Sequence, residues 1–173
     1  MISKKMEGAL NGQIQEEFYS AYLYLSMSAW FETKNLKGFA NWMKIQNLEE
    51  QMHAIKIFDY INERGGNVQL QNINKPQNEW NSPLEAFEAA YKHEQHISGC
   101  FNDLVHLAME EKDRASQIFL DWFVNEQVEE EATADEIVQQ LRIIGDNGHG
   151  LLMIDRELGA RVFTPPAQSD KNA

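Results

Sequence analysis

The sequence contains a single cysteine, Cys100, among its 173 residues. One cysteine cannot form a disulfide within the chain, and it cannot supply the thiolates of a zinc or iron–sulfur site. Basic residues are also few, because 15 lysines and arginines stand against 27 acidic residues, which leaves a net charge of −12. This charge disfavours nucleic acid and anionic membranes as partners and favours cations.

Long hydrophobic runs are missing as well. No stretch is long and apolar enough to cross a bilayer. The first residues, MISKKMEGAL, lack the apolar run of a secretion signal. The apolar content of 43% is nevertheless that of a globular protein. We therefore expect a cytoplasmic protein that binds neither nucleic acid nor membrane.

Glycine and proline occur in only a few places, and between them lie four long helical segments, at about 5–33, 35–64, 83–112 and 115–144. Asn35 is the predicted cap of the second helix, and Ser82 caps the third. The segment 67–81 has no helical period and is long enough to run the length of a bundle. The sequence therefore predicts an all-α four-helix bundle over about 5–144, in which a long crossover makes helices two and three parallel.

Each predicted helix has a core-facing seam that is apolar at its ends and polar near its middle. Because the helices are of similar length, these polar positions fall at about the same height in the bundle. The residues concerned are Glu17 on the first helix, Glu50 and His53 on the second, Glu94 on the third, and Gln127 and Glu130 on the fourth.

One interpretation is that each acid merely pairs with a lysine or arginine, or that the seam is misplaced. No basic residue lies on the seams nearby, however, and unpaired carboxylates in an apolar interior cost several kcal/mol each. A bound cation removes that cost. Carboxylates with one imidazole and no thiolate suit iron or manganese better than structural zinc, and bridging glutamates favour two metal ions side by side.

The chain closely resembles the prokaryotic non-haem ferritins over nearly its whole length. The resemblance rests on four segments: NGQIQEEFYSAYLYLSMSAWF, NLEEQMHAIKIFDYINERGG, YKHEQHI and FLDWFVNEQVEEE. It implies a ferritin-like bundle with a short fifth helix at about 150–162, in a single domain over 1–163, followed by a flexible tail at 164–173. It also implies a ferroxidase that oxidises Fe(II) with dioxygen or peroxide and stores ferric oxide in a shell of 24 identical subunits.

By the same resemblance, two iron ions share one centre. The first iron site uses Glu17, Glu50 and His53. The second uses Glu50 as a bridge together with Glu94 and Glu130, and Gln127 lies close by. Two aromatic residues, Tyr24 and Trp122, match family positions beside this centre. The role of Tyr24 stays open between donating an electron and donating a hydrogen bond to a ligating glutamate.

A third iron site is implied at Glu49, Glu126 and Glu129, although an acidic run such as 129–131 is also typical of a solvated helix face.

Haem is not expected. Bacterioferritins carry a second Glu-x-x-His, where this chain has Gln127 and Glu130, and their haem-ligating methionine follows the first Glu-x-x-His glutamate, where this chain has Gln51. Met52 is interpreted as a packing residue. The remaining polar residues are interpreted as surface or packing histidines and one inert core cysteine: His93, His96, His106, His149 and Cys100.

Two other functions stay open. One is a discrete di-iron oxidase, or a peroxide-detoxifying protein, that forms no storage shell and stays small in solution. The other is a purely structural or interaction bundle, which should bind no iron and should be indifferent to changes at Glu94.

Overall fold

The computed structural model describes residues 1–164, and this part of the chain contains five α-helices and no strand. The helices are α1 (Lys4–Thr33), α2 (Lys37–Glu63), α3 (Pro83–Glu110), α4 (Arg114–Ile144) and α5 (Gly148–Leu158). The all-α fold predicted from the sequence is confirmed. The predicted tail lies outside the described residues except for Thr164, and the single domain over 1–163 stays a prediction.

The predicted parallel arrangement of α2 and α3 is confirmed. Ser3 and Tyr24 of the α1 region bond to Glu111 and Glu94 of the α3 region, so the start of α1 lies beside the end of α3 and the two helices are antiparallel. Short turns make α1 antiparallel to α2 and α3 antiparallel to α4. The connection at 64–82 therefore runs the length of the bundle, as its composition indicates.

The predicted cap of α2 is wrong. Asn35 adopts φ 58 and ends α1 instead, in a turn where the Leu36 N–H donates to the Phe31 carbonyl at 3.2 Å. Asparagine tolerates this left-handed conformation better than most residues. Leu36 is the N-cap of α2 and supplies no side-chain hydrogen bond. The first N–H groups of α2 must therefore find acceptors elsewhere.

Those acceptors come from α5. The Asp155 carboxylate accepts hydrogen bonds from the Gly38 and Phe39 N–H groups at 2.8 and 3.1 Å. The two helices approach so closely that a Cβ on Gly38 would lie 1.5 Å from the Asp155 carbonyl oxygen. Ile154 and Leu158 are buried against the bundle. The fifth helix thus closes the end of α2 that the local sequence leaves open.

The bounds of α5 differ from the predicted 150–162. The helix starts at Gly148, because the Asn147 side chain accepts hydrogen bonds from the His149 and Gly150 N–H groups at 3.0 and 3.2 Å. It ends at Leu158, one residue before Gly159. The apolar residues Val162 and Phe163 consequently lie beyond the helix.

The core consists of two apolar clusters with a polar layer between them. One cluster includes Phe31, Phe39 and Phe87, and the other includes Phe101 and Phe123. The buried polar residues between them are Glu17, Gln46, Glu50, His53, Glu94 and Gln127. The predicted coincidence of the four polar seam interruptions is therefore seen in the structure. Among residues 1–164, no helix combines the length and apolar character that a membrane span requires.

Candidate metal centre

Three of the predicted site residues form a compact group inside the bundle. Glu17 of α1 and Glu50 and His53 of α2 each offer one ligand atom, and these atoms lie within 4.8 Å of one another. The His53 Nδ1 atom lies 3.3 Å from Glu50 Oε2 and 3.4 Å from Glu17 Oε2. Glu50 and His53 share a helix face because they are three residues apart. All three side chains are buried.

Glu17 has an oxygen without a hydrogen-bond partner. Its Oε1 accepts a hydrogen bond from Gln13 Nε2 at 2.6 Å, whereas its buried Oε2 accepts none from any residue in the described part of the chain. This oxygen lies 3.4 Å from His53 Nδ1, an ionic contact when that imidazole is protonated, but a buried carboxylate oxygen without a hydrogen bond is still costly. Its placement beside a glutamate and an imidazole fits a metal cation, which would satisfy the oxygen directly.

Protonation in this group is shifted by burial and by neighbouring charge. Burial raises the pKa of Glu50 well above its usual value, and the carboxylates of Glu94 and Glu17 add to the rise, while His53 opposes it. Burial alone would lower the pKa of His53, but Glu17 and Glu50 outweigh it and raise that pKa well above its usual value. The group therefore retains protons that a bound cation would displace.

The residues from α3 and α4 meet at the same layer, but each acid is already hydrogen-bonded. Glu94 accepts from the Tyr24 hydroxyl and, at 3.1 Å, from Gln127 Nε2. Glu130 accepts from Gln46 Nε2 at 2.6 Å. Burial raises the pKa of Glu94 to about 8, with a further contribution from the Glu130 carboxylate. Glu94 belongs to neither of the two compact ligand groups found among residues 1–164.

Tyr24 is a hydrogen-bond donor in this structure. Burial raises the pKa of its hydroxyl well above the usual value, and the charges of Glu94 and Glu50 contribute. The phenol is therefore neutral and can donate to Glu94. The other aromatic residue singled out from the sequence, Trp122, packs edge-on against His53 with 5.5 Å between ring centroids.

Two glutamines with contacts to the centre were given no role in the sequence analysis. Gln13 lies four residues before Glu17 on α1, so helical spacing alone contains the signal for that hydrogen bond. Gln46 lies on the α2 seam and bonds to Glu130 on α4. That contact joins residues 84 positions apart, and no local pattern indicates it.

A cleft of about 510 Å³ adjoins the centre, and we call it the outer cleft. It is lined by the three acids of the predicted third site, Glu49, Glu126 and Glu129, and by these further residues: Met52, His53, Lys56, Trp122, Glu130, Thr133, Arg161 and Thr164. His53, Glu126 and Glu130 form the second compact group of possible ligand atoms.

The structure adds a cation to the predicted acidic set. Arg161 Nη2 donates to Glu49 Oε2 at 2.6 Å, across a separation of 112 residues. Arg161 was not expected here, because the sequence places it inside the predicted fifth helix, where it has no spacing relation to Glu49. Burial raises the pKa of Glu49, and the Arg161 guanidinium opposes that rise.

The prediction for one of the remaining polar residues needs correction. Cys100 was expected in the core but is only partly buried, with its Sγ 3.6 Å from His96 Nε2. His96 is exposed, in line with its interpretation as a surface histidine, and its Nε2 lies 3.1 Å from Glu16 Oε2. Spacing within α3 could not show this contact, because Glu16 lies on α1.

Comparisons with known proteins identify the family of the chain. A family model described as a ferritin-like domain matches residues 7–144. The chain belongs to the ferritin family. Among its curated relatives, the bacterial non-heme ferritin of Bacteroides fragilis is 48% identical over 161 residues, covering 93% of this chain and 100% of the relative. The bacterial non-heme ferritin of Staphylococcus aureus is 37% identical over 163 residues, covering 94% and 98%.

Solved structures extend the likeness of this ferritin to an archaeal relative. A crystal structure described as a novel open pore ferritin from the hyperthermophilic archaeon Archaeoglobus fulgidus superposes with a TM-score of 0.93 at 53% identity, covering 94% of this chain and 100% of that one. A closed form of the same ferritin, engineered by site-directed mutagenesis, gives a TM-score of 0.94 at 54% identity, covering 95% and 100%. The predicted ferritin resemblance is confirmed.

Proposed function

We propose that this ferritin stores iron and oxidises Fe(II) at the polar layer of its bundle. The observation that carries the proposal is the buried Glu17–Glu50–His53 group, in which Glu17 Oε2 has no hydrogen-bond partner within the described residues. Fe(II) is the substrate of this site. Several carboxylates and one imidazole stabilise ferric over ferrous iron, so the ligand set favours loss of an electron to an oxidant.

Two ferrous ions would share the layer. Glu17, Glu50 and His53 would hold the first, and Glu50 would bridge to a second held by Glu94 and Glu130, with Gln127 beside it. The protons retained by the buried carboxyls leave when iron binds. Tyr24 orients Glu94 through its hydroxyl. Dioxygen is the proposed oxidant, and peroxide is the alternative.

A third cation would bind in the outer cleft, where Glu49, Glu126 and Glu129 all line the wall. Its affinity should be lower than that of the inner ions, because the cleft is more solvated and charge interactions there are better screened. We propose that this site relays iron or electrons between the centre and the stored mineral.

Self-assembly into a homo-oligomer is part of the proposal, with 24 subunits as the number implied by the family. Support comes from apolar side chains that stay exposed on α5 and after it, since Leu152, Met153 and Val162 are 53%, 60% and 78% exposed. Exposed apolar side chains of this kind favour burial by another subunit. Haem is not proposed, in line with the names of the curated relatives. We propose the cytoplasm as its location.

Size-exclusion chromatography combined with Fe(II) loading in air tests this function. A storage ferritin elutes as a large particle that takes up many irons per subunit, and Glu130→Ala should remove most of the rapid oxidation of the first two. A discrete di-iron oxidase would stay small. A structural bundle would bind no iron and would be indifferent to Glu94→Ala. An unchanged oxidation rate in Glu130→Ala would refute the di-iron assignment.

A further inference from the structure

Arg161 brings a positive charge into the acidic outer cleft. Its Nη2 atom donates to Glu49 Oε2 at 2.6 Å, and the two side chains are only 26% and 23% exposed. The guanidinium carbon also lies 4.8 Å from the centroid of the Trp42 ring. A charge-assisted bond with little solvent screening and an aromatic contact is stronger than an ordinary surface ion pair.

The position of Arg161 is set by the backbone as well as by its charge. Asn41 Nδ2 of α2 donates to the Arg161 carbonyl oxygen at 3.0 Å. Two residues earlier in the chain, Gly159 packs against Gly38, and Asp155 caps the first turn of α2. The docking of α5 on α2 therefore places Arg161 beside Glu49.

The pairing is nevertheless incomplete. Arg161 Nη1 is buried and has no hydrogen-bond partner among residues 1–164. A buried donor without a partner is unfavourable, so this contact lacks the full set of bonds that a permanent structural ion pair would have. The ion pair of Arg161 is with Glu49, and Glu126 and Glu129 line the same cleft.

We propose that Arg161 is a tethered counter-ion of the outer cleft, which competes with a divalent metal ion for Glu49 and so sets the affinity of the third site. This inference rests on the proposed function, since it deepens the role assigned to the outer cleft. While Arg161 holds Glu49, a metal ion in the outer cleft has Glu126 and Glu129 as its carboxylate ligands. When Arg161 leaves Glu49, that carboxylate becomes available to the metal ion and one positive charge moves away from it, while Lys56 remains in the cleft.

Calorimetric titration of the assembled protein with Zn²⁺, a divalent ion that cannot be oxidised, measures this competition. We expect tight sites in the inner centre and a weak class of sites in the outer cleft. Arg161→Gln should increase the affinity of the weak class for Zn²⁺ about tenfold relative to wild type, because it leaves the Glu49 carboxylate without its ion-pair partner. Arg156→Gln is the matched control. It removes the same charge from the exposed face of α5, away from the cleft, and should leave the weak class unchanged.

Glu49→Gln tests the opposite change in affinity, and its result can be interpreted even if Arg161→Gln does not fold. It leaves Arg161 in the cleft without its partner, so the weak class should bind Zn²⁺ about tenfold more weakly than in wild type. The double variant removes both charges and should return to about the wild-type affinity. Equal weak-class affinities in all four proteins would overturn the proposal. So would equally weak binding in Glu49→Gln and the double variant, because Glu49 would then ligate regardless of Arg161.

The same titrations keep this inference separate from the proposed function. The tight class of sites in wild type, which Glu17→Ala should weaken, reports on the inner centre, because Glu17 belongs to the inner ligand group and does not line the outer cleft. The shift of the weak class among the Glu49 and Arg161 variants reports on the counter-ion alone.

Discussion

The two halves of the polar layer are built differently. In the α1–α2 half, Glu17, Glu50 and His53 bring three ligand atoms within 4.8 Å of one another, and one carboxylate oxygen has no hydrogen-bond partner in the described structure. In the α3–α4 half, Glu94 and Glu130 each accept hydrogen bonds from neutral side chains. The ligand atoms of the α1–α2 half are already close enough together to hold a cation. A cation in the α3–α4 half must first displace existing hydrogen bonds.

This difference has an energetic consequence. An ion in the α1–α2 half must displace the protons held by Glu50 and His53, but its ligand atoms are already close together and accept fewer hydrogen bonds from other side chains, so this half should bind first. An ion entering the α3–α4 half must displace the hydrogen bonds from Tyr24, Gln127 and Gln46, which lowers its net affinity. Unequal affinity for two ions follows from the hydrogen bonds as well as from the ligand types, since only the α1–α2 half contains an imidazole.

His53→Ala should have the largest effect, because it removes a ligand from the α1–α2 half, which is expected to bind iron more tightly. Loss of hydrogen-bond partners around metal ligands costs 10- to 100-fold, so loss of the ligand itself should slow the initial oxidation of Fe(II) by about 100-fold or more. Stopped-flow absorbance on Fe(II) mixing measures this rate.

The metal-free His53→Ala protein should keep its helical content in circular dichroism. Exposed His106→Ala is the matched control and should oxidise Fe(II) at the wild-type rate. A variant that folds and oxidises Fe(II) normally would show that the α1–α2 half is not the principal site.

Lower pH should weaken the α3–α4 half. The folded pKa of Glu94, about 8, lies above its usual value, so near neutral pH a metal ion must displace a proton from this residue. Affinity for the second ion should therefore fall about tenfold per pH unit below about 8. Metal-free stability should change in the opposite sense and decline as pH rises through this folded pKa, because the folded state binds the extra proton.

Anaerobic Fe(II) titrations and thermal unfolding between pH 6 and 9 measure both trends. Glu94→Gln cannot titrate, so it should lose this component of the pH dependence while the first ion still binds. Parallel pH profiles in wild type and Glu94→Gln would rule out Glu94 as the titrating group.

Tyr24→Phe should bring the metal affinities of the two halves closer together. The variant removes one donor from Glu94, which should cost about 1 kcal/mol of metal-free stability and tighten the second ion a few-fold. Equilibrium denaturation and anaerobic titration report on these two effects.

Oxidation kinetics decide the alternative role of Tyr24. If the tyrosine supplies an electron, Tyr24→Phe should change the number of Fe(II) ions consumed per dioxygen. If it only donates a hydrogen bond, this ratio should stay at the wild-type value while the affinity changes.

Gln46→Met should have the smallest effect. It removes the donor to Glu130, but it also removes the Gln46 Oε1 atom, which is buried and has no hydrogen-bond partner among the described residues. The loss of a hydrogen bond and the removal of a buried oxygen without a partner have opposite effects on stability. The free energy of unfolding should therefore change by less than about 1 kcal/mol, and the affinity for the second ion should rise about twofold. Thermal unfolding and the same titration provide the measurement, and a large loss of stability would contradict this account.

The sequence was sufficient for the polar layer because helical periodicity reports it directly. Glu17, Glu50, His53 and Glu94 each interrupt an apolar seam, and helices of similar length bring such interruptions to about the same height. The crossover at 67–81 likewise indicates the parallel arrangement of α2 and α3 through its length alone. Each of these signals lies within one helix or one connection.

The contacts that were missed join distant parts of the chain. Asp155 caps α2 from 117 residues away, and Arg161 pairs with Glu49 from 112 residues away. Neither contact has a periodic signature, because each depends on where α5 docks, and that position is fixed by packing against Gly38. The capping preference of Asn35 was applied to the wrong helix end, since asparagine suits both an N-cap and a left-handed C-terminal position.

The close approach of the α5 backbone to Gly38 affects how the results of a genetic screen of this protein should be interpreted. Any side chain at position 38 would meet the α5 backbone, so a saturation mutagenesis library selected for iron tolerance should be depleted of nearly every substitution there. The depletion at Gly38 would look like that at Glu50. One position is intolerant because of chemistry and the other because of space, and selection for growth alone does not separate them.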